Sequence, residues 1–417
     1  LALADYDAGG LMAIDPIVHW AKAVFDRLVS REDMKTSWQA AMVKVAGAVR
    51  PFGAVCGPAG AMVASARRIG WEVPSPFHLM MEEGTLLNLN CMAPKDVQML
   101  AIRALHHKEA PGSSLAQRTG VVPDLEPLKS FLGTIRRTKA AAALRALGEG
   151  GWWTQDRMFA AGMAGVEDNL CQVCHNQVGD LYHRCCGCSG LREVIRGNAK
   201  HQVIVGAAQS ALRHKEPLFQ HGFPELQRPL PPPSFVERWC GGRSIDEFLF
   251  TGNVFSDGSV HMGCRKGHER AGWAAVAVDD DGNVIGGAYG TCPDHFPSSL
   301  RAELWGLLQT LRHAIPPITV FVDNAGVVDG FAKGRSWCCH SGRAAADLWR
   351  QIWWKCDDLG GEGISIKKVK GHATQADIDA GRSTWWHKLG NEHADHFAGR
   401  GSLLAEQLSS TVADSRL

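Results

Sequence analysis

Residues 253–259 read Asn-Val-Phe-Ser-Asp-Gly-Ser, residues 272–278 read Gly-Trp-Ala-Ala-Val-Ala-Val, and residues 284–289 read Val-Ile-Gly-Gly-Ala-Tyr. Their β-branched, aromatic and small residues fit strands, and Asp280-Asp281-Gly282-Asn283 supplies the turn between the second and third. Three such strands in succession predict an antiparallel meander. Downstream, Ser298 or Ser299 can N-cap a helix through Glu303, Leu307 and Leu311, which Pro316-Pro317 stops. Ile318 to Val322 is a continuous apolar run, as a buried parallel strand requires. A Trp-rich helix over Ala344 to Trp354, a strand over Ile364 to Val369 and a helix from about Asn391 complete the pattern. The order predicts one mixed α/β domain over about residues 245–410, with a five-stranded sheet flanked by helices.

Upstream of this block, Gly222 to Ser234 reads GFPELQRPLPPPS, a stretch too rich in proline for a helix or sheet interior. It marks a linker at 222–240. The 417 residues carry a net charge of +1, but residues 241–417 hold 18 Lys and Arg against 21 Asp and Glu, and the remainder 26 against 22. Neither half grips a polyanion by bulk charge alone. Residues 1–150 are rich in Ala and read as mainly helical, for example Thr138 to Leu147 closed by Gly148. No apolar run approaches the roughly 20 residues of a membrane span, so no membrane partner is expected. The Leu1 start, without a basic-then-apolar leader, reads as a soluble piece cut from a longer chain.

Four acids occupy the ends of the predicted elements: Asp257 ends the first strand, Glu303 lies one turn into the first helix, Asp323 ends the buried strand, and Asp395 opens the last helix. Strand ends and helix starts of one α/β sheet converge on one crevice. Carboxylates crowded there repel one another unless a cation neutralises them. Two Mg²⁺ or Mn²⁺ ions roughly 4 Å apart suit such an oxygen-only donor set, and their chemistry is phosphodiester cleavage. Gly258 would let the backbone come close to metal and substrate.

These residues resemble the type 1 ribonuclease H family over about 245–410. The matching pieces are Ser256-Asp257-Gly258-Ser259, Arg301-Ala302-Glu303, Val322-Asp323-Asn324, Lys370-Gly371-His372 and Asn391-Glu392-His393-Ala394-Asp395. The resemblance implies that Asp257, Glu303, Asp323 and Asp395 bind the metals. It implies that His372, on a loop after the last strand, assists proton transfer and product release, work to which imidazole is suited. Ser259, Ser299, Asn324 and Asn391 follow as substrate-side or supporting residues. Family members that read RNA 2′-hydroxyls often carry amides just before the Arg-Ala-Glu turn. Here Ser299 and Leu300 stand there, and only Ser299 can hydrogen-bond. In Gly330 to Arg343, Arg335 and Trp337 offer a cation and an aromatic to a nucleic-acid backbone, with a solvated loop as the even alternative.

Thirteen cysteines are present, five of them within residues 171–188. Clustering around a His points to a metal and a reducing, intracellular compartment (nucleus or cytoplasm) rather than to disulfides. Cys171, Cys174, His183 and Cys188 form C-x2-C-x8-H-x4-C, a ligand set for structural Zn²⁺, with Cys186 competing for the fourth place and a metal-free cysteine cluster as the alternative. The segment, at 151–200, resembles the zinc-binding stretch after the reverse transcriptase domain of many non-LTR retrotransposon polyproteins. By the same resemblance, residues 1–150 are thumb- or connection-like. No aromatic-Ala-Asp-Asp or Tyr-x-Asp-Asp turn occurs, so the polymerase would be a partner elsewhere in a parent polyprotein. The implied activity is hydrolysis of the RNA strand of RNA–DNA hybrids. The alternatives are an idle nucleic-acid-binding remnant, or an integrase- or transposase-like nuclease on the same fold.

Overall fold

The computed structural model describes residues 10–46, 57–112, 153–190, 231–241, 249–261 and 269–414, with short pieces between 116 and 146 and at 202, 225 and 226. Of the helix read over Thr138 to Leu147 only Ala141, Ala142, Arg145 and Ala146 are described, all helical; the rest of it and much of the proline-rich stretch lie outside these residues. The chain forms two compact units, Leu1–Asp15 with Ala101–Arg228, and Pro16–Leu100 with Pro229–Leu417. Among the described residues no helix is long and apolar enough to cross a membrane.

In chain order the elements begin with α1 (Gly10–Phe25), α2 (Arg31–Ala46), α3 (Gly57–Arg68), β1 (Glu72–Ser75), β2 (His78–Met80), β3 (Leu86–Asn88) and α4 (Pro94–Glu109). The region read as mainly helical thus also holds a small antiparallel sheet, β1-β2-β3. Its strands are three or four residues long, too short to show a period of two in the sequence. Next come α5 (Gln155–Ala160), β4 (Glu237–Cys240), β5 (Phe250–His261), β6 (Arg270–Val278), β7 (Val284–Thr291), α6 (Ser299–Arg312), β8 (Ala314–Val322), α7 (Ala325–Lys333) and α8 (Arg335–Cys338). The chain ends with α9 (Ala346–Asp358), β9 (Ile364–Lys368), α10 (Gln375–Asp379) and α11 (Trp385–Asp414).

The main sheet has the order β4-β7-β6-β5-β8-β9. Strands β5, β6 and β7 form the antiparallel meander, and β8 and β9 add in parallel beside β5. The expectation of five strands is corrected to six. The end of the proline-rich spacer, Glu237 to Cys240, pairs antiparallel with β7 from Gly290 to Gly287. Its four residues follow a proline run and lie at an edge, where neither an apolar stripe nor a long pattern is needed.

Every residue of β6 is buried, because helices cover both faces of the sheet. Trp273, Ala275 and Ala277 pack with Leu304, Leu307, Leu308 and Leu311 of α6, and with Leu348, Trp349 and Ile352 of α9. The alternate residues Val276 and Val278 pack with Phe255, Phe321 and Ala394 on the α11 side. This period of two also assigns the faces of β5: Val254 belongs to the α6 side and Phe255 to the α11 side.

Candidate active site

The parallel register pairs Phe255 of β5 with Phe321 of β8. Two residues further along, Asp257 still lies within β5, and Asp323 is the first residue past the end of β8. Glu303 joins them from the second turn of α6, whose start is set by Ser298. That hydroxyl accepts the Arg301 backbone N–H at 3.3 Å, which resolves the choice between Ser298 and Ser299. Carboxylate oxygens of Asp257, Glu303 and Asp323 all lie within 4.8 Å of one another.

Gly258 makes this convergence possible. A Cβ there would overlap the backbone of Ala302 and Glu303, so the missing side chain lets α6 seat closely on β5. Gly371 plays the corresponding role on the other side. A Cβ there would lie 2.5 Å from Oδ2 of Asp323, so the Lys370-Gly371-His372 loop passes directly over that carboxylate.

Asp257 and Glu303 are buried, Asp323 is half-buried, and none of the three forms an ion pair with Lys, Arg or His among the described residues. Asp257 is 6% exposed and Glu303 3%. Burial, then the charges of Asp323 and Asp395, push Asp257 up to about 7. Burial, then the charges of Asp257 and Asp323 and hydrogen bonding with them, push Glu303 up to about 10. Glu303 Oε2 is buried with no hydrogen-bond partner. An orphaned buried oxygen in an all-carboxylate set, held by mutual repulsion, fits a hard divalent cation.

Asp395 is exposed and stands outside the 4.8 Å group, although its charge reaches Asp257. The last helix begins at Trp385 rather than near Asn391, so Asp395 lies in its third turn. The start signal is Thr384, whose hydroxyl accepts the His387 N–H at 3.1 Å. Asn391, one turn before Asp395, is 3% exposed, and its Oδ1 has no partner. His372 is exposed and holds a left-handed backbone (φ 47°), a conformation uncommon outside glycine.

Other candidates have local partners. Asn324 caps α7 by accepting the Gly326 N–H at 2.9 Å. Ser259 lies opposite Gly272 near the end of β5, and Ser299 is the exposed first residue of α6. Arg335 pairs with Asp357 at 2.6 Å, and Trp337 lies between Lys333 and Arg343 at 4.5 and 4.0 Å. The segment read as a cationic loop is therefore helical in part, over α7 and α8.

Sequence reasoning left Arg301 without a role. Its guanidinium is buried and donates to Asp294 at 2.6 Å, to Asp347 at 2.8 and 2.9 Å, and to Asp96 at 3.3 Å. Trp305 Nε1 donates to the same Asp294. Two residues before Glu303, Arg301 pins the opening turn of α6 from the side away from the acids. Only its position inside the Arg-Ala-Glu turn was available as a signal, since partners 205 and 46 residues away leave no local trace.

In the other unit, ligand atoms of Cys171, Cys174, His183 and Cys188 lie within 4.8 Å of one another. The Sγ atoms of Cys171 and Cys188 are 3.8 Å apart, and Cys174 Sγ is 3.1 Å from His183 Nε2. A tight turn brings the first pair together: the Cys171 N–H donates to Gln177 O and the His175 N–H to Cys171 O, both at 2.8 Å. Asp180 then accepts the His183 N–H at 2.6 Å, opening the turn that delivers the second pair. Burial pushes the Cys171 thiol up, but hydrogen bonds from the backbone of Cys174 and Val173 outweigh it and hold the group at about 6. Cys188 is the fourth member of this group among the described residues, and the side chains of Cys185 and Cys186 lie outside them.

No family model matches the chain, and no curated protein matches it. Solved structures do. RNase H1 from the halophilic archaeon Halobacterium salinarum NRC-1 is 20% identical, over 36% of this chain and 97% of its own, with a TM-score of 0.26. The PFV RNase H domain is 21% identical over 37% and 94%, with a TM-score of 0.30. LC11-RNase H1, solved in complex with an RNA/DNA hybrid, is 13% identical over 37% and 97%, with a TM-score of 0.25.

Proposed function

We propose that residues 229–417 form a divalent-metal-dependent endonuclease that hydrolyses the RNA strand of RNA–DNA hybrids. The observation that carries this reading is the uncompensated cluster of Asp257, Glu303 and Asp323, with Oε2 of Glu303 buried and unpartnered. These three carboxylates, with Asp395 beside them, would hold Mg²⁺ or Mn²⁺. Such ions supply an activated water and stabilise charge on the leaving oxygen. The protein supplies the rest. Asp257 is held within β5, Asp323 follows directly on the end of the neighbouring β8, and the Arg301 network fixes the turn that carries Glu303. His372, exposed on the loop over Asp323, would take up and release a proton at the rim of the site.

The Cys171, Cys174, His183 and Cys188 group would hold a structural zinc, since four closed ligands leave no place for a substrate. The reading places the chain in the C-terminal part of a retrotransposon polyprotein, acting beside its polymerase part.

Incubation of the purified chain with a labelled RNA–DNA hybrid tests the nuclease. Cleavage giving 3′-hydroxyl and 5′-phosphate ends is expected with Mg²⁺, none with chelator, and none after Asp323→Asn. Cleavage that survives chelation or the substitution would refute it. Metal-independent hybrid binding without any cutting would point instead to the idle remnant.

A further inference from the structure

Two clefts meet at Arg27, within the unit that carries the acids. One, of about 530 Å³, is lined by Arg27, Leu28, Arg31, Phe77 and Asn90. The other, of about 170 Å³, is lined by Arg27, Arg335, Arg350 and Trp354. Arg31 lies over the Phe77 ring at 5.1 Å and donates to Asn90 Oδ1 at 3.1 Å, so a neutral frame fixes a guanidinium that keeps its charge. Arg350 lies over the Phe25 ring at 3.4 Å and pairs with Asp26 at 3.2 Å. The exposed Arg335–Asp357 pair is easily exchanged for another anion. Arg27 has no ion-pair partner among the described residues. Four guanidiniums thus face two carboxylates, beside a Trp354 that is 42% exposed.

Arg27 also stands where its residue type is unfavourable. The Leu28 N–H donates to Ala23 O at 3.0 Å and the Arg27 N–H to Val24 O at 3.2 Å, the bonding of a Schellman cap. Arg27 takes the left-handed place in it (φ 53°), which glycine fills best. The backbone conformation at that helix end favours glycine over arginine, whose cation gains only the modest attraction of the helix dipole.

We propose that these joined clefts bind the sugar-phosphate backbone of a nucleic-acid strand, with Arg27 as the central phosphate contact and Trp354 as a stacking face. Planar guanidiniums match phosphate oxygens in pairs, and an exposed indole accepts any base. The site takes from the proposed function only that nucleic acid is the ligand, and it involves none of the acids. It would hold substrate outside the cleavage centre.

The test measures fluorescence anisotropy of a labelled 20-nucleotide single strand with the full chain in chelator, across a salt series. Losing one phosphate contact lowers the log–log salt slope by about 0.7, a loss of about fivefold in affinity at about 0.1 M salt. Arg27→Gly should show that loss while melting at the same or a higher temperature, because glycine relieves the cap. Arg27→Lys, which keeps the charge but loses the paired contact, should keep the parent's salt slope while binding more weakly. Unchanged affinity and slope in Arg27→Gly would overturn the site. So would a polyglutamate peptide of equal length that competes as well as the oligonucleotide. Because no metal is present, an Arg27-dependent slope in a chain that cuts no hybrid leaves the site standing while the nuclease reading fails. The converse result removes the site alone.

Discussion

Replacing Asp323 with Asn should stabilise the metal-free protein, and only above neutral pH. Asp257 titrates at about 7 in the fold against an ordinary 3.8, so the folded state keeps a proton that the unfolded chain has released. The sign follows from linkage: stability is full below about pH 4, falls as pH rises towards 7, and then levels off. The whole penalty is about 4 kcal/mol at 1.36 kcal/mol per unit. Burial is its largest cause and the Asp323 charge the next. Removing that charge should therefore return about 1–2 kcal/mol at pH 8, or roughly 2–8 °C in melting temperature. At pH 5 Asp257 is neutral, and the gain should shrink to within error. Thermal denaturation of parent and variant in chelator at the two pH values measures this directly. Added Mg²⁺ should reverse the order at pH 8, because the parent gains a ligand-bound state that the variant lacks. A variant equally or less stable in chelator at pH 8, or one stabilised equally at pH 5, would refute the account of repelling acids.

The remaining predictions concern what holds the site. Gly258→Ala drives a methyl group into the backbone of Ala302 and Glu303, and should cost about 3 kcal/mol or prevent soluble folding; denaturant titration measures it. Arg301→Ala leaves Asp294 and Asp347 buried and unpaired, for a loss of about 3–5 kcal/mol, and a variant as stable as the parent would contradict the network. One zinc per chain should appear in native mass spectrometry and vanish in Cys171→Ser, with the main-sheet unit still folded.

The sequence was most legible where the signal is local. β5 runs on to His261, so Asp257 does not end its strand as read, but the meander of β5 to β7 and a serine cap at the start of α6 do follow from short-range pattern. So does the C-x2-C-x8-H-x4-C group, since its turn spans only 18 residues, from Cys171 to Cys188. What resisted reading depends on distant partners. The edge strand Glu237 to Cys240 is defined by its pairing with β7, not by its own composition. The start of α11 was hidden because Ser383-Thr384 looks like any polar loop, and this displaced Asp395 from a helix opening to its interior. Gly258 was legible as a close approach, and that α6 makes one there shows only when the helix is laid on the sheet.

The contrast between two acid clusters on one helix makes the strongest case for a metal. Asp96, Asp294 and Asp347 gather around Arg301, and a guanidinium with five donors accommodates them. Two residues later, Glu303 meets Asp257 and Asp323 with no Lys, Arg or His ion pair among the described residues. The same fold thus places a resident cation at one cluster and leaves the other to protons. Burial and the neighbouring carboxylates push Asp257 up to about 7 and Glu303 up to about 10, so at neutral pH Glu303 holds its proton and Asp257 is only partly ionised. A chain able to bury arginine against three acids has a ready structural solution for crowded carboxylates. Beside Glu303 the carboxylates instead repel one another, and a divalent cation of the kind proposed above would turn that repulsion into affinity.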